Sequence, residues 1–335
     1  MPEKQEGRAN TTKRSVTDAF KGLGFSPAGI MAMLILGLMP VYITDNAFLR
    51  VMISSMMYGA FAMAFDFTSG FINITNFGYS AFWGIGAYTT AILMMHYGVN
   101  PWLGMLAGFL LAGVAGFGLG LLTIRLGGIF ASCMTWFLAL ALFAVATNWV
   151  GLTEGSKGMS VDPLIASDSY TGIFYIMFAI VLIVYVVLMR VSNSNIGIAF
   201  RAIGQDTDAA QAAGIDPARY KLINFTISCA LGGLIGAFYA HFSGIIIPKI
   251  FQTSNTVEIM ALSYIGGRGS IWGGLLGAML LLPVMDYMKG MMEWRLILYG
   301  LFMILAMIFY PAGLSGLINI VRGHIGRILH LSGKD

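Results

Sequence analysis

The sequence predicts an all-α polytopic membrane protein with about ten transmembrane helices, nine being the alternative. Three observations carry this. Of 335 residues, 58% are hydrophobic and only 10% are charged, against about a quarter charged in soluble domains. Mean hydropathy is +0.80. Apolar runs near the roughly 20 residues that cross a bilayer recur along the chain. Such a chain cannot present most of its side chains to water, so its main surroundings are the lipid bilayer.

Residues 1–27 contain Lys4, Arg8, Lys13, Arg14 and Lys21 and no apolar core. They read as a cytoplasmic tail rather than a cleaved leader. The expected spans are 28–44, 47–66, 77–97, 102–124, 129–150, 172–191, 221–242, 271–288 and 296–310, with a shorter run at 256–267. The positive-inside rule orients them. It places the N-terminus and Arg125 inside, the 151–171 loop outside, and the 192–220 loop inside. The tail at 318–335, with Arg322, Arg327 and Lys334, also belongs inside, which requires 256–267 to cross. If it does not, nine spans leave the C-terminus outside. The transmembrane domain is therefore read as 28–317.

Small residues recur at every fourth position: Gly104, Gly108, Ala112, Gly116 and Gly120; Ser228, Gly232, Gly236 and Ala240; Gly269, Gly273 and Gly277. That step keeps them on one helix face and allows close backbone approach. The net charge of +4 resides in tails and loops, which is a topology signal and not a nucleic-acid patch. Cys133 and Cys229 lie in apolar runs and read as small core residues.

No phosphate loop of the form G-x-x-x-x-G-K-[ST] is present. The glycine-rich Gly266–Ser270 segment has Arg268 but no lysine. The chain is therefore expected to bind no ATP and no other cofactor itself, and no metal. No nucleophile–base set stands out, and His96, His241, His324 and His330 are scattered. The expectation is a non-catalytic protein.

Ionisable residues inside apolar runs face cavities or partners, or reach for the interface. Arg50 reads as snorkelling, and Asp66 and Asp286 read as interfacial. Glu258 has two readings, pathway lining or outer interface. The stretch from Asp66 to Gly78 is polar and broken by glycine, and is either an ordinary loop or a break lining a pathway.

The segment Gly197–Asp216, GIAFRAIGQDTDAAQAAGID, is a charged island between two spans. Ile196, Phe200 and Ile203 share a helical face. Asp206 can cap a second short helix, with Asp208 in its first turn. Gly214 followed by Ile215 reads as a helix stop, and Asp216-Pro217 as the start of the next helix. The pattern fits either two defined short helices that contact something or a solvated linker.

Several stretches together resemble one family, the membrane permease subunits of ATP-binding-cassette importers for branched-chain amino acids and related solutes. They are Asn76–Thr89 (NFGYSAFWGIGAYT), Leu152–Met159 (LTEGSKGM), Gly197–Ile215 followed by Tyr220-Lys221, Gly266–Gly273, and the closing run Leu296–Leu317. The family commonly carries His where this chain has Tyr79. The likeness covers about residues 47–317, and the five motifs occur in the family's order.

The resemblance implies a half-transporter with the fold of these importers' transmembrane domains. Its partners would be a second homologous permease, two cytoplasmic ATPase subunits that bind ATP and Mg, and a soluble, periplasmic solute-binding protein. Under it the island becomes the surface that docks on an ATPase, through Arg201, Asp206, Asp208, Ala209, Ala210 and Ala213, ended by Gly214 and Ile215. Asn73, Asn76, Tyr79 and Glu258 become candidates for the solute pathway. A branched-chain or other amino acid is the expected solute, with urea, amides and aromatic acids as alternatives within the class. A secondary transporter or channel is the competing reading.

Overall fold

The structure is a computed structural model describing residues 27–43, 45–124, 129–165 and 170–287, with single positions at 297, 301, 304, 313 and 316. Its described residues form helices and one two-stranded β-ribbon, the make-up of a helical membrane protein. The first helices are α1 (Pro27–Tyr42), α2 (Asn46–Ser69), α3 (Tyr79–Tyr97), α4 (Pro101–Ile124) and α5 (Ile129–Asn148). A short turn of helix, α6 (Val150–Thr153), leads to β1 (Met159–Ser160). Then come α7 (Thr171–Ser192), α8 (Asn195–Gln205), α9 (Thr207–Ala212) and α10 (Pro217–Ser243). The described chain closes with β2 (Ile245–Ile246), α11 (Thr253–Gly266) and α12 (Ile271–Tyr287). Arg125, both tails and the expected span 296–310, apart from the single positions named, lie outside the described residues.

Among the described residues, α2, α4, α5, α7 and α10 are each long and apolar enough to cross a membrane. Of the other expected spans in this part, α1 and α12 have 16 and 17 residues, below the roughly 20 that cross a bilayer, and α3 carries Trp, Tyr, Ser, Thr and Gly residues that are largely buried in protein. A helix surrounded by other helices has no need of an apolar surface for lipid. At the centre α2, α3 and α10 meet through aromatic contacts: Phe61 on Trp83 at 4.6 Å, Phe65 on Tyr79 at 5.6 Å and Trp83 on Tyr239 at 5.0 Å.

The small-residue ladders lie where helices cross most closely. Cβ atoms at Gly108 and Gly116 would meet α3 and α10, and one at Gly233 would strike Ala112. Where apolar side chains gain nothing by leaving lipid, such close packing is the main source of helix association.

The body has two ends. At one, α2 starts beside Ser243 of α10 and Asp286 of α12, which line a shared pocket with Arg50. At the other, Ser69 meets Arg268, and Phe67 meets Phe200 of α8. So α10 and α12 both run antiparallel to α2.

The run 256–267 is expected to cross as a short span, tilted or broken. The structure shows α11 with 14 residues, about 21 Å at the helical rise and short of the roughly 30 Å hydrocarbon core. Non-helical chain leads into it. β2 pairs antiparallel with β1, Met159 opposite Ile246. A 3-10 turn, Pro248–Phe251, follows. This irregular backbone is held by protein: Ser80 Oγ donates to the Phe251 carbonyl at 3.0 Å, and Phe251 stacks on Tyr88 at 5.5 Å. Ser80 N also donates to Thr256 Oγ1 at 3.0 Å, beside the start of α11. Buried irregular chain of this kind is what a membrane body tolerates. α11 and α12 then meet at 108°, too sharp for one straight span.

Candidate functional site

The charged island folds as two short helices. α8 buries Gly197, Ala199, Phe200 and Ile203, while Ile196 is 37% exposed. The expected apolar face is therefore rotated: Ile196 sits at its edge and Ala199 takes its place. Phe200 stands edge-on to Phe67 at 5.6 Å and to Tyr220 at 6.2 Å. At Gly204 the helix comes so close to the loop after α2 that a Cβ would run into the Phe71 carbonyl oxygen.

The predicted caps are present. Asp206 Oδ1 accepts from Asp208 N at 2.9 Å and Ala209 N at 3.0 Å, starting α9. Gly214 has φ +85°, and Ile215 N donates back to the Ala210 carbonyl at 3.0 Å. This is the left-handed stop that glycine allows without a Cβ penalty. Asp216 then caps α10 through Ala218 N at 3.0 Å, with Pro217 in the first turn. An Asp206→Ala chain should lose about 1 kcal/mol of local helix stability. Hydrogen exchange at Asp208–Ala210 is expected to quicken relative to α10; unchanged exchange would mean that the cap does not hold α9.

Arg201, Asp206, Asp208, Ala209, Ala213 and Gly214 are exposed, and Ile215 is half-buried. Ala210 is a correction: it is only 4% exposed and faces the body. It is the buried position of α9, so its side chain is not on the exposed face that could dock. Arg201 also differs from a free surface charge. Its Nη2 donates to Ser192 Oγ at 2.6 Å, and its guanidinium lies 5.3 Å over the Phe71 ring. Sequence reasoning missed Ile198, which is 61% exposed beside the charged residues. Its position off the Phe200 stripe was the available signal.

The polar break after α2 lies directly beneath these helices and is tied to the α11–α12 turn. Asp66 Oδ1 accepts from Gly269 N at 3.1 Å and from Ser263 Oγ at 3.3 Å. Arg268 Nη2 donates to the Ser69 carbonyl at 3.0 Å and to Asn73 Oδ1. The Tyr264 hydroxyl bonds Ser69 Oγ at 2.9 Å, and Arg268 lies 5.7 Å over its ring. Asp66 is 1% exposed, so the interfacial reading of it is corrected: this carboxylate is a buried acceptor joining two elements.

The four pathway candidates do not form one surface. Asn73 is exposed in a left-handed conformation with φ +59°. Asn76 is 1% exposed, and its Oδ1 accepts from Gly78 N at 3.1 Å, closing the loop. Tyr79 is fully buried and donates its hydroxyl to the Ser228 carbonyl at 3.1 Å. Neither Asn76 nor Tyr79 lines an open route in this conformation, because both side chains are buried. Glu258 is half-buried on α11.

Comparison with known proteins places this architecture. The family described as "Branched-chain amino acid transport system / permease component" matches residues 47–308. The chain belongs to this permease family. It is 27% identical to the high-affinity branched-chain amino acid transport system permease protein LivM of Escherichia coli (strain K12), over 85% of this chain and 74% of that one. It is 25% identical to LivH of Salmonella typhimurium (strain LT2), over 82% and 96%. It is 22% identical to a probable LivM of Methanocaldococcus jannaschii, over 83% and 96%. No solved structure matches significantly. The family match spans all the described helices from α2 to α12, and so includes both the capped island and the polar break.

Proposed function

We propose that the chain is the transmembrane permease subunit of an ATP-driven importer for a branched-chain or other small amino acid, working by alternating access. The observation that carries this reading is the capped α8–α9 pair. It has defined ends, is exposed on one face, and is seated on the loop after α2, which is hydrogen-bonded to the α11–α12 turn. Such a part can receive a movement of an ATPase and pass it on as a rigid-body shift. Arg201, Asp206, Asp208, Ala209, Ala213 and Ile198 form the docking surface in this reading, with Gly214 and Ile215 ending it.

The remaining assignments follow from charge and family. The α8–α9 end is cytoplasmic, as is the N-terminal tail 1–27, and the membrane is the inner (plasma) membrane. The transmembrane domain is 28–317, of about ten spans, with α11 and its lead-in as one crossing. Residues 192–220 are the coupling loop, 151–171 the outer loop, and 318–335 a cytoplasmic tail. A second homologous permease completes the pathway, two ATPase subunits hold ATP and Mg, and a soluble receptor delivers solute at the β1–β2 end. The names of the relatives favour an amino acid over urea, amides or aromatic acids.

The test is reconstitution of the chain with its partner permease, ATPases and receptor in proteoliposomes. Uptake of radiolabelled L-leucine should require the receptor and ATP together. Uptake by the chain alone, driven by an ion gradient, would overturn the reading in favour of a secondary transporter.

A further inference from the structure

Two residues that sequence alone assigned to the bilayer surface, Arg50 and Asp286, line one pocket. It has a volume of about 560 Å³ and lies between the start of α2 and the ends of α10 and α12. Ser54 and Ser243 add hydroxyls, and Tyr58 and Tyr239 add aromatic walls. Both tyrosines stand edge-on to the buried Trp83, at 5.6 and 5.0 Å, and so are braced by the central aromatic cluster. By contrast, the apolar groove between α4, α7 and α10 has no charged residue in its lining.

The pocket lies at the end of the body away from α8–α9. Its wall residue Ser243 directly precedes Gly244, which is tied to the outer-loop segment: Val161 N donates to the Gly244 carbonyl at 2.9 Å, next to the β1–β2 ribbon. A cation and an anion in one small aromatic-walled cavity match a molecule carrying both charges. Arginine recognises carboxylates through its planar fork, and a carboxylate and an aromatic face both attract an ammonium group.

We infer that this pocket is an entry subsite for a zwitterionic amino acid. Arg50 takes the α-carboxylate, Asp286 takes the α-ammonium group, and Tyr58 and Tyr239 flank the side chain. The choice of an amino acid rests on the importer reading above; the pocket itself does not.

The test measures equilibrium binding of radiolabelled L-leucine to the assembled complex in nanodiscs, without the soluble receptor. Leucinamide, which lacks the carboxylate, and isocaproate, which lacks the ammonium group, serve as competitors. Each should bind the native complex about tenfold more weakly than leucine, the scale of one hydrogen bond to a charged group. Arg50→Gln should weaken leucine about tenfold and leave leucinamide unchanged. Asp286→Asn should weaken leucine and leave isocaproate unchanged. The inference is overturned if the native complex binds no leucine, if both variants bind it normally, or if each variant weakens all three compounds alike. Receptor- and ATP-dependent uptake by the same purified complex in proteoliposomes separates the two ideas. Uptake with no effect at the pocket removes the subsite and leaves the importer, while selective binding without ATP-dependent uptake does the reverse.

Discussion

A Gly204→Val chain is expected to insert and fold yet lose most solute-stimulated ATP hydrolysis in the assembled complex. Gly204 lies in the last turn of α8, where a Cβ would collide with the Phe71 carbonyl. Backbone cannot yield there as a flexible side chain would, so α8 must lift from the loop. Lifting separates Phe200 from Phe67 and Arg201 from the Phe71 ring. Overpacking of this kind costs about 1–3 kcal/mol. That lowers the population of the seated α8 by about tenfold or more. The central body formed by α2, α3 and α10 does not depend on this contact, so yield and monodispersity should hold. Hydrogen exchange over Phe200–Ile203 should quicken in parallel. Full ATPase stimulation by this variant would mean that the seat of α8 on the loop carries no coupling.

An Asp66→Ala chain should be less stable than either the Gly204→Val or the Asp206→Ala chain. Its Oδ1 is the shared acceptor for Gly269 N and Ser263 Oγ, and Ser263 is fully buried. Removing the acceptor strands the buried Ser263 hydroxyl, at about 1–3 kcal/mol for a group left buried without a partner, and frees the exposed Gly269 N–H from its tie to α2. Asp66→Asn keeps an oxygen in the same position and should be milder. Thermal unfolding of the purified chain in detergent should show a midpoint several degrees lower for the alanine variant than for the asparagine variant. Equal midpoints would show that Asp66 does not hold the α2 end to the α11–α12 turn.

Much of the island was legible because capping is local. Asp206, Gly214 and Asp216 act on amides and carbonyls within a few residues, and the sequence already places those partners beside them. The inward position of Ala210 was not legible, since the buried side of a six-residue helix depends on what lies beneath it. The same holds for Tyr79. A tyrosine beside a polar break looks available to solute until the Ser228 carbonyl, far along the chain, accepts its hydroxyl. Asp66 and Arg268 raise the same difficulty, because their partners come from elements about 200 residues away in sequence.

The segment 245–266 was legible only as a short apolar run at 256–267. Its first part is not helical, and hydropathy cannot tell buried irregular chain from a loop. Arg50 and Asp286 were each legible as a charge near a span end. Nothing in the sequence brings the first turn of α2 and the last turn of α12 to one pocket.

By itself the sequence determined that this is a helical membrane protein, where its long apolar helices lie, how its loop helices start and stop, and which permease family it resembles. These follow from local composition and short-range hydrogen bonds. The tertiary structure alone decided which polar groups are spent inside the body, which face of the island is free, and that Arg50 and Asp286 share a cavity. The physical reason is that a buried polar group is satisfied by whichever partner packing brings near it, and in this chain those partners come from distant helices.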